Sequence, residues 1–510
     1  MAGVASSVAD ASEAEAAELF AVCARAGIKA FAFAGALLFK PAELSRLSAA
    51  AREAVAAAGL GRSLAAIGGG AAPGFGLPPF PAAPSPLGLA SSGSATAARR
   101  SGALLGQSLV SLGIDLVLGP RLDLATDPKD PAGALDGFGE DYRAVGRIGS
   151  AVVRGIEHAG VAACIGRFPG LGAVCADGYD GRPMVDMPAA RLESCEMRPF
   201  SAAMRAGASA VLVGRAFVPS LESDHIPAAS SARVIEGWLR DSLRFHGVVI
   251  GDDAEPPEEP GRAAVLSALA GCDLCLISRT EEALAAALAL ERAAAAGELP
   301  LIRVETARRR VEHLASRRRG LVSVNAQVSQ SQFSPASAAR DVERGASLLR
   351  GDLTLTGASA GSFERALVLV FAPPPGSPDA AQREAVVGEL GAALPGASIL
   401  EFPADPSTRD ADELLKAISG QDFDEVAILT YDAHFRPAQE GLAQLAAERI
   451  PRFRVIAMRD PYDAAFFPKA LGLGAVYGFS ALCARAAAKL LTGRAKARGG
   501  RPVEVIGLEV

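Results

Sequence analysis

Five charged side chains within residues 1–320 follow short apolar runs, so each stands just after the end of a predicted strand. In chain order they are Asp123, Arg167, Asp177, Arg215 and Asp252. Guanidinium groups suit carboxylate or phosphate ligands, because their planar fork matches two oxygens at once. The residues therefore predict an anion-friendly pocket, and the alternative is that the arginines pair with Asp177 or with Asp136.

Short apolar runs alternate with Ala-rich amphipathic segments throughout residues 1–320. The apolar runs cover residues 28–33, 64–67, 114–118, 161–165, 210–213, 248–250 and 274–277. The amphipathic segments cover residues 42–58, 97–112, 141–158, 191–206 and 231–243. Short continuous strands separated by helices are typical of a parallel sheet that is covered on both faces. The pattern predicts an α/β fold with a (β/α)8 TIM-type barrel, in which the loops after the strands share one face. We therefore expect the five charged residues to converge on one cleft.

A second, smaller domain is predicted after the barrel. Residues 321–361 are polar and read as a linker. Four more apolar runs, at residues 366–371, 398–402, 425–429 and 454–458, are separated by helical segments. The chain is thus expected to comprise a barrel at 1–320, a linker at 321–361 and an αβα-sandwich domain at 362–510.

Composition excludes several classes of function. The 51 basic and 57 acidic residues give a net charge of −6, which argues against nucleic acid or an anionic membrane as the main partner. Aromatic residues make up only 5%, so a broad platform for stacking bases is not expected. No apolar stretch is long enough for a membrane span, and the N-terminus lacks the features of a signal peptide. Seven scattered cysteines favour reduced thiols and a cytoplasmic protein.

Other motifs have plain interpretations. Cys272 and Cys275 have the spacing of a metal or redox pair, but their apolar neighbours favour a buried strand. His158 and His246 lack partners with ligand-like spacing, so no metal site is predicted. The glycines at 68–76 are not followed by Lys-Ser/Thr and do not form a phosphate-binding fingerprint. No cofactor is expected.

Six fragments along nearly the whole chain match an ordered set of motifs. They are GIDLVLGPRLDL at 113–124, FGED at 138–141, RFPG at 167–170, WLRDSLRFHGVVIGDD at 238–253, MRDPYD at 458–463 and VYGF at 476–479. These fragments resemble glycoside hydrolase family 3, in its bacterial β-N-acetylglucosaminidase branch. The resemblance implies a TIM-type barrel with a second domain, a small carbohydrate ligand, and retaining hydrolysis of terminal β-N-acetylglucosamine from cell-wall fragments.

The resemblance also implies roles for individual residues. Asp252 stands at the position of the nucleophile, with a helix-capping or structural aspartate as the alternative. In the acid/base loop, Asp177 matches the aspartate that orients a histidine, while Tyr179 stands where that histidine is expected. A phenol has an ordinary pKa near 10, so Asp180 is a further candidate for the proton donor. Asp123 matches an aspartate that contacts sugar hydroxyls, with a loop carboxylate as the alternative.

The substrate-binding positions differ from the family pattern. Asp136 replaces an arginine, while Arg167 and Arg215 each replace a histidine and Gly166 replaces a lysine. Each loss would remove a charge-assisted hydrogen bond to the sugar. The sequence therefore leaves open an active but altered glycosidase, a non-catalytic homologue that binds a sugar-like or anionic ligand or a protein partner, and a purely structural role. It leaves the oligomeric state open.

Overall fold

The computed structural model describes residues 2–5, 13–33, 40–68, 83–130, 133–172, 183–222, 226–252, 260–325, 335–359, 361–377 and 379–505. These residues form two compact units. The barrel unit contains residues 1–80, 95–124 and 142–330, and the sheet unit contains residues 81–94, 125–141 and 331–510. Within the described part of the chain, no helix is long and apolar enough to cross a membrane.

Eight parallel strands close the barrel in chain order. They are β1 (Ala2–Ala5), β2 (Ala30–Phe33), β3 (Leu64–Ile67), β4 (Leu116–Val117), β5 (Ala162–Phe168), β6 (Ala210–Val213), β7 (Val248–Asp252) and β8 (Leu274–Ile277). The predicted barrel class is confirmed, and each of the seven predicted apolar runs overlaps a strand. The sequence interpretation missed β1, because its four residues, AGVA, carry little apolar bulk.

Strand alternation decides which side chains fill the barrel. In β2, Ala30 and Ala32 face the interior, and in β7 Val248 and Ile250 do the same. The intervening residues face the surrounding helices, as the two-residue period of a strand requires.

Helices separate the strands of both units. In chain order they are α1 (Glu13–Arg25), α2 (Pro41–Ala57), α3 (Pro86–Ser92), α4 (Ala95–Ser111), α5 (Gly133–Asp136), α6 (Tyr142–His158), α7 (Ala189–Arg191), α8 (Met197–Arg205), α9 (Pro260–Ala270), α10 (Thr280–Ala295), α11 (Leu301–Asn325), α12 (Pro335–Gly345), α13 (Arg383–Ala393), α14 (Thr408–Gly420), α15 (Pro437–Arg449) and α16 (Ala481–Leu491). Two π-helical segments, Leu192–Glu196 between α7 and α8 and Arg233–Ser242 before β7, complete the barrel layer. Val311 and Leu314 of α11 pack against the interior residues at the start of the strands, so α11 closes that end of the barrel.

The sheet unit contains six strands in the order β11-β10-β12-β13-β14-β9. They are β9 (Ser347–Gly351), β10 (Ala366–Ala372), β11 (Ser398–Pro403), β12 (Glu425–Thr430), β13 (Phe453–Ala457) and β14 (Gly472–Ala475). The β9 strand is antiparallel to β14, and the other pairs are parallel. The chain passes from β10 to β11 on one side and then returns to β12 on the other side of β10. The strand order therefore reverses between β10 and β12, at their carboxyl ends.

The predicted domain boundaries need correction. The expected linker at 321–361 contains α12 and the edge strand β9, and its residues Val342, Leu349 and Leu353 are buried in the core of the sheet unit. Residues 81–94 and 125–141, expected within the barrel, belong to the sheet unit. The linker is predicted from the average polarity of residues 321–361. An average does not show the alternate apolar residues that bury one face of a short strand such as β9.

Candidate functional site

The carboxyl ends of three neighbouring barrel strands lie at one level. Phe168 of β5 pairs with Val213 of β6, and Val213 pairs with Gly251 of β7. Arg167, Arg215 and Asp252 therefore lie within two residues of a common level at the carboxyl end of the barrel. Arg121 pairs with Gly166 just before this level, so Asp123 is at the same end. The structure thus brings together four of the five residues that were expected to converge.

Asp252 is the last residue of β7 and is partly buried. By the alternation of the strand it shares a face with Val248 and Ile250, which line the barrel interior. A carboxylate on the inner face at the carboxyl end of a strand is where barrel enzymes place their chemistry. Its assignment as nucleophile stays a prediction, since the residues that follow, 253–259, lie outside the described part of the chain.

Asp123 is almost completely buried, with 1% of its surface exposed. Its Oδ2 accepts hydrogen bonds from Nε of Arg121 at 2.7 Å and from Nε of Arg167 at 3.4 Å. Its Oδ1 accepts from the backbone amides of Leu171 at 2.8 Å and Arg167 at 3.3 Å. These contacts match the alternative in which Asp123 is a loop carboxylate, because both oxygens already serve the segments after β4 and β5.

Two arginines share the single carboxylate of Asp123. The Arg121 side chain is 15% exposed and that of Arg167 is 38% exposed, so the second guanidinium extends toward solvent. Arg215 is half-buried after β6 and has contacts of its own. Sequence reasoning missed Arg121, although its spacing of two residues from Asp123 places both side chains on the same side of an extended segment.

Glu196 is a second buried acid beside this group, and sequence reasoning missed it as well. It is 1% exposed, and its Oε1 accepts a long hydrogen bond of 3.5 Å from Arg191. Its Oε2 has no hydrogen-bond partner among the described residues. Burial raises the pKa of Glu196, the Arg191 guanidinium lowers it, and the Asp123 carboxylate raises it further. The available signal was a glutamate on the helix face that also carries the buried Leu192 and Phe200, spaced four residues to either side.

The predicted acid/base loop lies outside the described residues. Asp177, Tyr179 and Asp180 fall within residues 173–182, so their expected roles stay predictions. The described chain on either side of this segment is attached to strand exits at the carboxyl end of the barrel. A Cβ on Gly172 would come within 1.7 Å of the Leu124 carbonyl oxygen, so only glycine fits there. On the other side, the amide of Phe217 donates to the Pro183 carbonyl at 2.9 Å.

The remaining candidates that the structure describes lie on other elements. Asp136 is the last residue of α5 in the sheet unit and is half-buried. Cys275 lies on β8, which confirms the buried-strand interpretation, and burial raises the pKa of the Cys272 thiol well above its ordinary value. Within the described ranges, no group of three or more His, Cys, Asp or Glu side chains could hold a metal ion.

A cavity of about 280 Å³ lies at the opposite end of the barrel, under α11. Its charged lining is already paired. Lys29 Nζ lies 3.7 Å from Glu312 Oε1, and Arg308 donates to both oxygens of Glu312 at 2.9 Å. Arg62 donates to the Ala315 carbonyl at 2.8 Å. The carboxyl end of the strands is therefore the better candidate for the functional site.

Known proteins resemble both the barrel and the whole chain. The family model for the Glycosyl hydrolase family 3 N terminal domain matches residues 46–314, more than half of the chain. A solved glycoside hydrolase family 3 β-N-acetylglucosaminidase from Paenibacillus sp. str. FPU-7 is 25% identical, with a TM-score of 0.84 over 100% of this chain and 98% of that one. A β-glucosidase from Listeria innocua, at 18% identity and a TM-score of 0.75 over 98% of this chain and 76% of that one, shares the fold.

Curated relatives match a shorter stretch. A beta-hexosaminidase from Xanthomonas oryzae pv. oryzae is 32% identical over 196 residues, which are 36% of this chain and 56% of the relative. A beta-hexosaminidase from Stenotrophomonas maltophilia is 31% identical over 189 residues, or 36% of this chain and 55% of the relative. The chain spans a little over half the length of these relatives. Taken with the closed parallel barrel and the match across residues 46–314, the resemblance has a clear conclusion: this chain belongs to glycosyl hydrolase family 3.

Proposed function

We propose that this protein binds an amino sugar carrying an anionic group at the carboxyl end of its barrel, and that it hydrolyses β-N-acetylglucosaminides weakly or not at all. The observation that carries the proposal is the sharing of one buried carboxylate, Asp123, by Arg121 and Arg167. Its place in carbohydrate metabolism follows from the family and from the names of the relatives that it matches.

The preference for an anion follows from the charges around Asp123. Arg121 and Arg167 both contact Asp123, and the Arg167 side chain, which is 38% exposed, also presents its guanidinium to solvent. Both oxygens of Asp123 already accept hydrogen bonds, so this residue is poorly placed to accept more from sugar hydroxyls. A carboxylate or phosphate on the ligand would instead accept from the fork of Arg167.

Weak hydrolysis follows from the replaced acid/base residue. Retaining cleavage of a glycoside needs a carboxylate nucleophile and a separate group that protonates the leaving oxygen. Asp252 keeps the first position, but Tyr179 stands at the second, and its ordinary pKa near 10 is far from neutral pH. Losing a general acid costs about 10²–10⁴-fold in rate.

The activity arm of the test is turnover of a chromogenic β-N-acetylglucosaminide by the wild-type chain and by Asp252→Asn. We expect the wild-type rate to lie at least about 100-fold below the usual enzyme range of about 1–10³ s⁻¹. A rate inside that range, abolished by Asp252→Asn, would instead establish an altered but active glycosidase. That second candidate is favoured by the position of Asp252 on the inner face at the end of β7.

The binding arm is calorimetry with muramic-acid-type, phosphorylated and neutral amino sugars at low and high salt. We expect the anionic sugars to bind more tightly, and their advantage to shrink with salt, because the attraction is partly Coulombic. Arg167→Ala should remove the advantage, whereas Arg205→Ala, an exposed arginine on α8, should not. Equal affinity for neutral and anionic sugars would refute the anion preference, and no binding of any sugar would favour a protein partner or a structural role.

A cytoplasmic location is part of the proposal and rests on the cysteines. Of the cysteines that the structure describes, Cys23, Cys164, Cys272 and Cys483 are buried free thiols. Free thiols persist in a reducing compartment.

A further inference from the structure

The sheet unit has a second polar cluster at the carboxyl ends of β10, β12 and β13. It is formed by Asp379 after β10, by Tyr431, Asp432 and His434 after β12, and by Arg459, Asp460, Tyr462 and Asp463 after β13. The cluster therefore lies where the chain reverses its direction across the sheet, which is where open α/β sheets form their ligand crevices. We call these residues the edge cluster.

The outer part of the edge cluster is permanently paired. Arg459 donates to Asp379, and its Nε lies 3.0 Å from Asp432 Oδ2. The Tyr431 hydroxyl donates to Asp379 at 2.9 Å, and the Arg459 guanidinium lies 4.9 Å from the centre of the Tyr431 ring. Since arginine stays charged at all physiological pH values, these contacts do not depend on proton supply.

The inner part of the edge cluster is short of donors. The His434 side chain is 8% exposed; its Nδ1 lies 2.8 Å from Asp463 Oδ1, and its Nε2 lies 3.6 Å from Asp460 Oδ2. The Asp463 and Asp460 side chains are 0% and 5% exposed. Neither Nε2 of His434 nor Oδ2 of Asp463 has a hydrogen-bond partner in the described residues. The backbone amide of His434 donates to Asp463 Oδ1 at 3.0 Å, and that of Tyr462 donates to Asp460 Oδ1 at 3.1 Å. A neutral imidazole would add only one ring N–H group for the two remaining carboxylate oxygens, which is costly in a region of low dielectric.

We propose that His434, Asp460 and Asp463 form a proton-dependent latch between the segments that follow β12 and β13. With His434 protonated, its two N–H groups face one carboxyl group each, and the segments 431–436 and 459–467 are held together. When the latch loses its proton at alkaline pH, the mutual repulsion of the carboxylates loosens this edge of the sheet. The latch thus makes access to the edge cluster depend on pH.

The charges around the latch reinforce this direction. The remaining ionisable groups of the edge cluster supply two carboxylates, two phenols and one guanidinium, and the segment 125–141 contributes Asp127 and Glu140, whose charges act on Tyr462. This surplus of acids favours holding protons. Burial raises the pKa of Asp460 to about 7, against the lowering effect of His434. Burial lowers the pKa of His434, but its hydrogen bond with Asp463 and the charge of Asp460 raise it above the ordinary value overall.

Proton nuclear magnetic resonance of the full chain labelled with ¹³C-histidine tests the titration. The chain has five histidines, and His434→Gln identifies the signal of interest. We expect His434 to titrate above the ordinary value of about 6.5, and its midpoint to fall toward that value in Asp460→Asn. Asparagine keeps an Oδ1 that accepts from the Tyr462 amide, as Asp460 does at 3.1 Å, so the local turn is preserved. A midpoint at or below about 6.5 in the wild-type protein overturns the latch.

Hydrogen exchange at pH 6 and pH 9, corrected for the intrinsic rate, tests the opening. We expect amide protection in 431–436 and 459–467 to fall by about tenfold or more at pH 9, as one linked proton gives tenfold per pH unit across its window. Asp460→Asn should reduce this fall. Asp424→Asn, in an exposed ion pair of the same unit, should leave it unchanged. Protection that is the same at both pH values, or an equal fall in wild type and Asp460→Asn, overturns the proposal.

Discussion

Asp123 in the barrel unit and Asp460 in the sheet unit are both buried aspartates, 1% and 4% exposed, that follow a parallel strand. Asp123 accepts hydrogen bonds from two arginine side chains and two backbone amides. Asp460 accepts one from the Tyr462 amide and faces the His434 ring at 3.6 Å. Burial raises the pKa of Asp460 to about 7.

The difference shows that the hydrogen-bond donors around a buried carboxyl group, more than its degree of burial, decide whether it responds to pH. Desolvation disfavours the charged form of a buried carboxyl group, and donors that are themselves charged or fixed in the backbone offset it. Asp123 has such donors and acts as a fixed joint between two strand exits. Asp460 depends on an imidazole that can lose its own proton, so its surroundings respond to pH.

Removing Asp123 gives the largest expected effect. Asp123→Ala leaves two guanidinium groups without their shared carboxylate, and we expect the free energy of unfolding of the barrel unit to fall by about 3–5 kcal/mol. Urea denaturation, followed by tryptophan fluorescence, measures it, since the only tryptophan, Trp238, lies in the barrel unit.

The matched control for this substitution is Asp424→Ala. Asp424 pairs with Arg365 on the surface, with both side chains more than half exposed, and an exposed pair is worth at most about 1 kcal/mol. If Asp123→Ala lowered the free energy of unfolding no more than this control does, the hydrogen bonds to Asp123 would not stabilise the barrel unit, and the contrast with Asp460 would be wrong.

Replacing Asp460 gives an intermediate effect with the opposite sign. Its folded pKa lies above the unfolded value of about 3.9, so the folded state holds this proton more tightly. Stability therefore falls as pH rises from about 4 to about 7 and stays at the lower level above that. Asp460→Asn removes this fall. At pH 8 we expect it to stabilise the sheet unit by about 1–3 kcal/mol, given about 1.4 kcal/mol per pKa unit and partial relief by His434.

Thermal unfolding of wild type and Asp460→Asn at pH 4.5 and pH 8 measures this prediction. The variant should be more stable than the wild type at pH 8. At pH 4.5 the two should be nearly equal in stability, because the wild-type carboxyl already holds its proton there. A variant that is destabilised equally at both pH values would mean that Asp460 is ionised in the folded protein.

Glu196→Gln gives the smallest expected effect. Burial raises the pKa of Glu196, and its Oε2 accepts no hydrogen bond from the described residues, so a neutral amide of the same shape suits the site. We expect the free energy of unfolding to change by less than about 1 kcal/mol at pH 7, within the range of a substitution that removes no satisfied contact. Urea denaturation at pH 5 and pH 8 checks it. A loss as large as that of Asp123→Ala would show that the ionised form of Glu196 stabilises the fold.

Much of the barrel could be predicted from the sequence, because seven of its eight strands lie in local apolar runs. The runs at 64–67, 210–213 and 274–277 coincide with β3, β6 and β8. The placement of Asp252 also follows from local order, since a residue directly after a buried strand must lie at its carboxyl end. The β1 strand and the true extent of the sheet unit could not be predicted in this way, as both depend on pairing with distant segments.

Sequence alone determined the two α/β units, the family resemblance and the placement of Asp123, Arg167, Arg215 and Asp252 at one end of the barrel, because strand period and parallel topology act through neighbours in the chain. Only the tertiary structure decided how those charges pair. Arg167 meets Asp123 across 44 positions, and His434 meets Asp463 across 29. Whether a buried acid is neutralised, shared or left to hold a proton depends on the donors that folding brings within about 3 Å, and no local pattern encodes that distance.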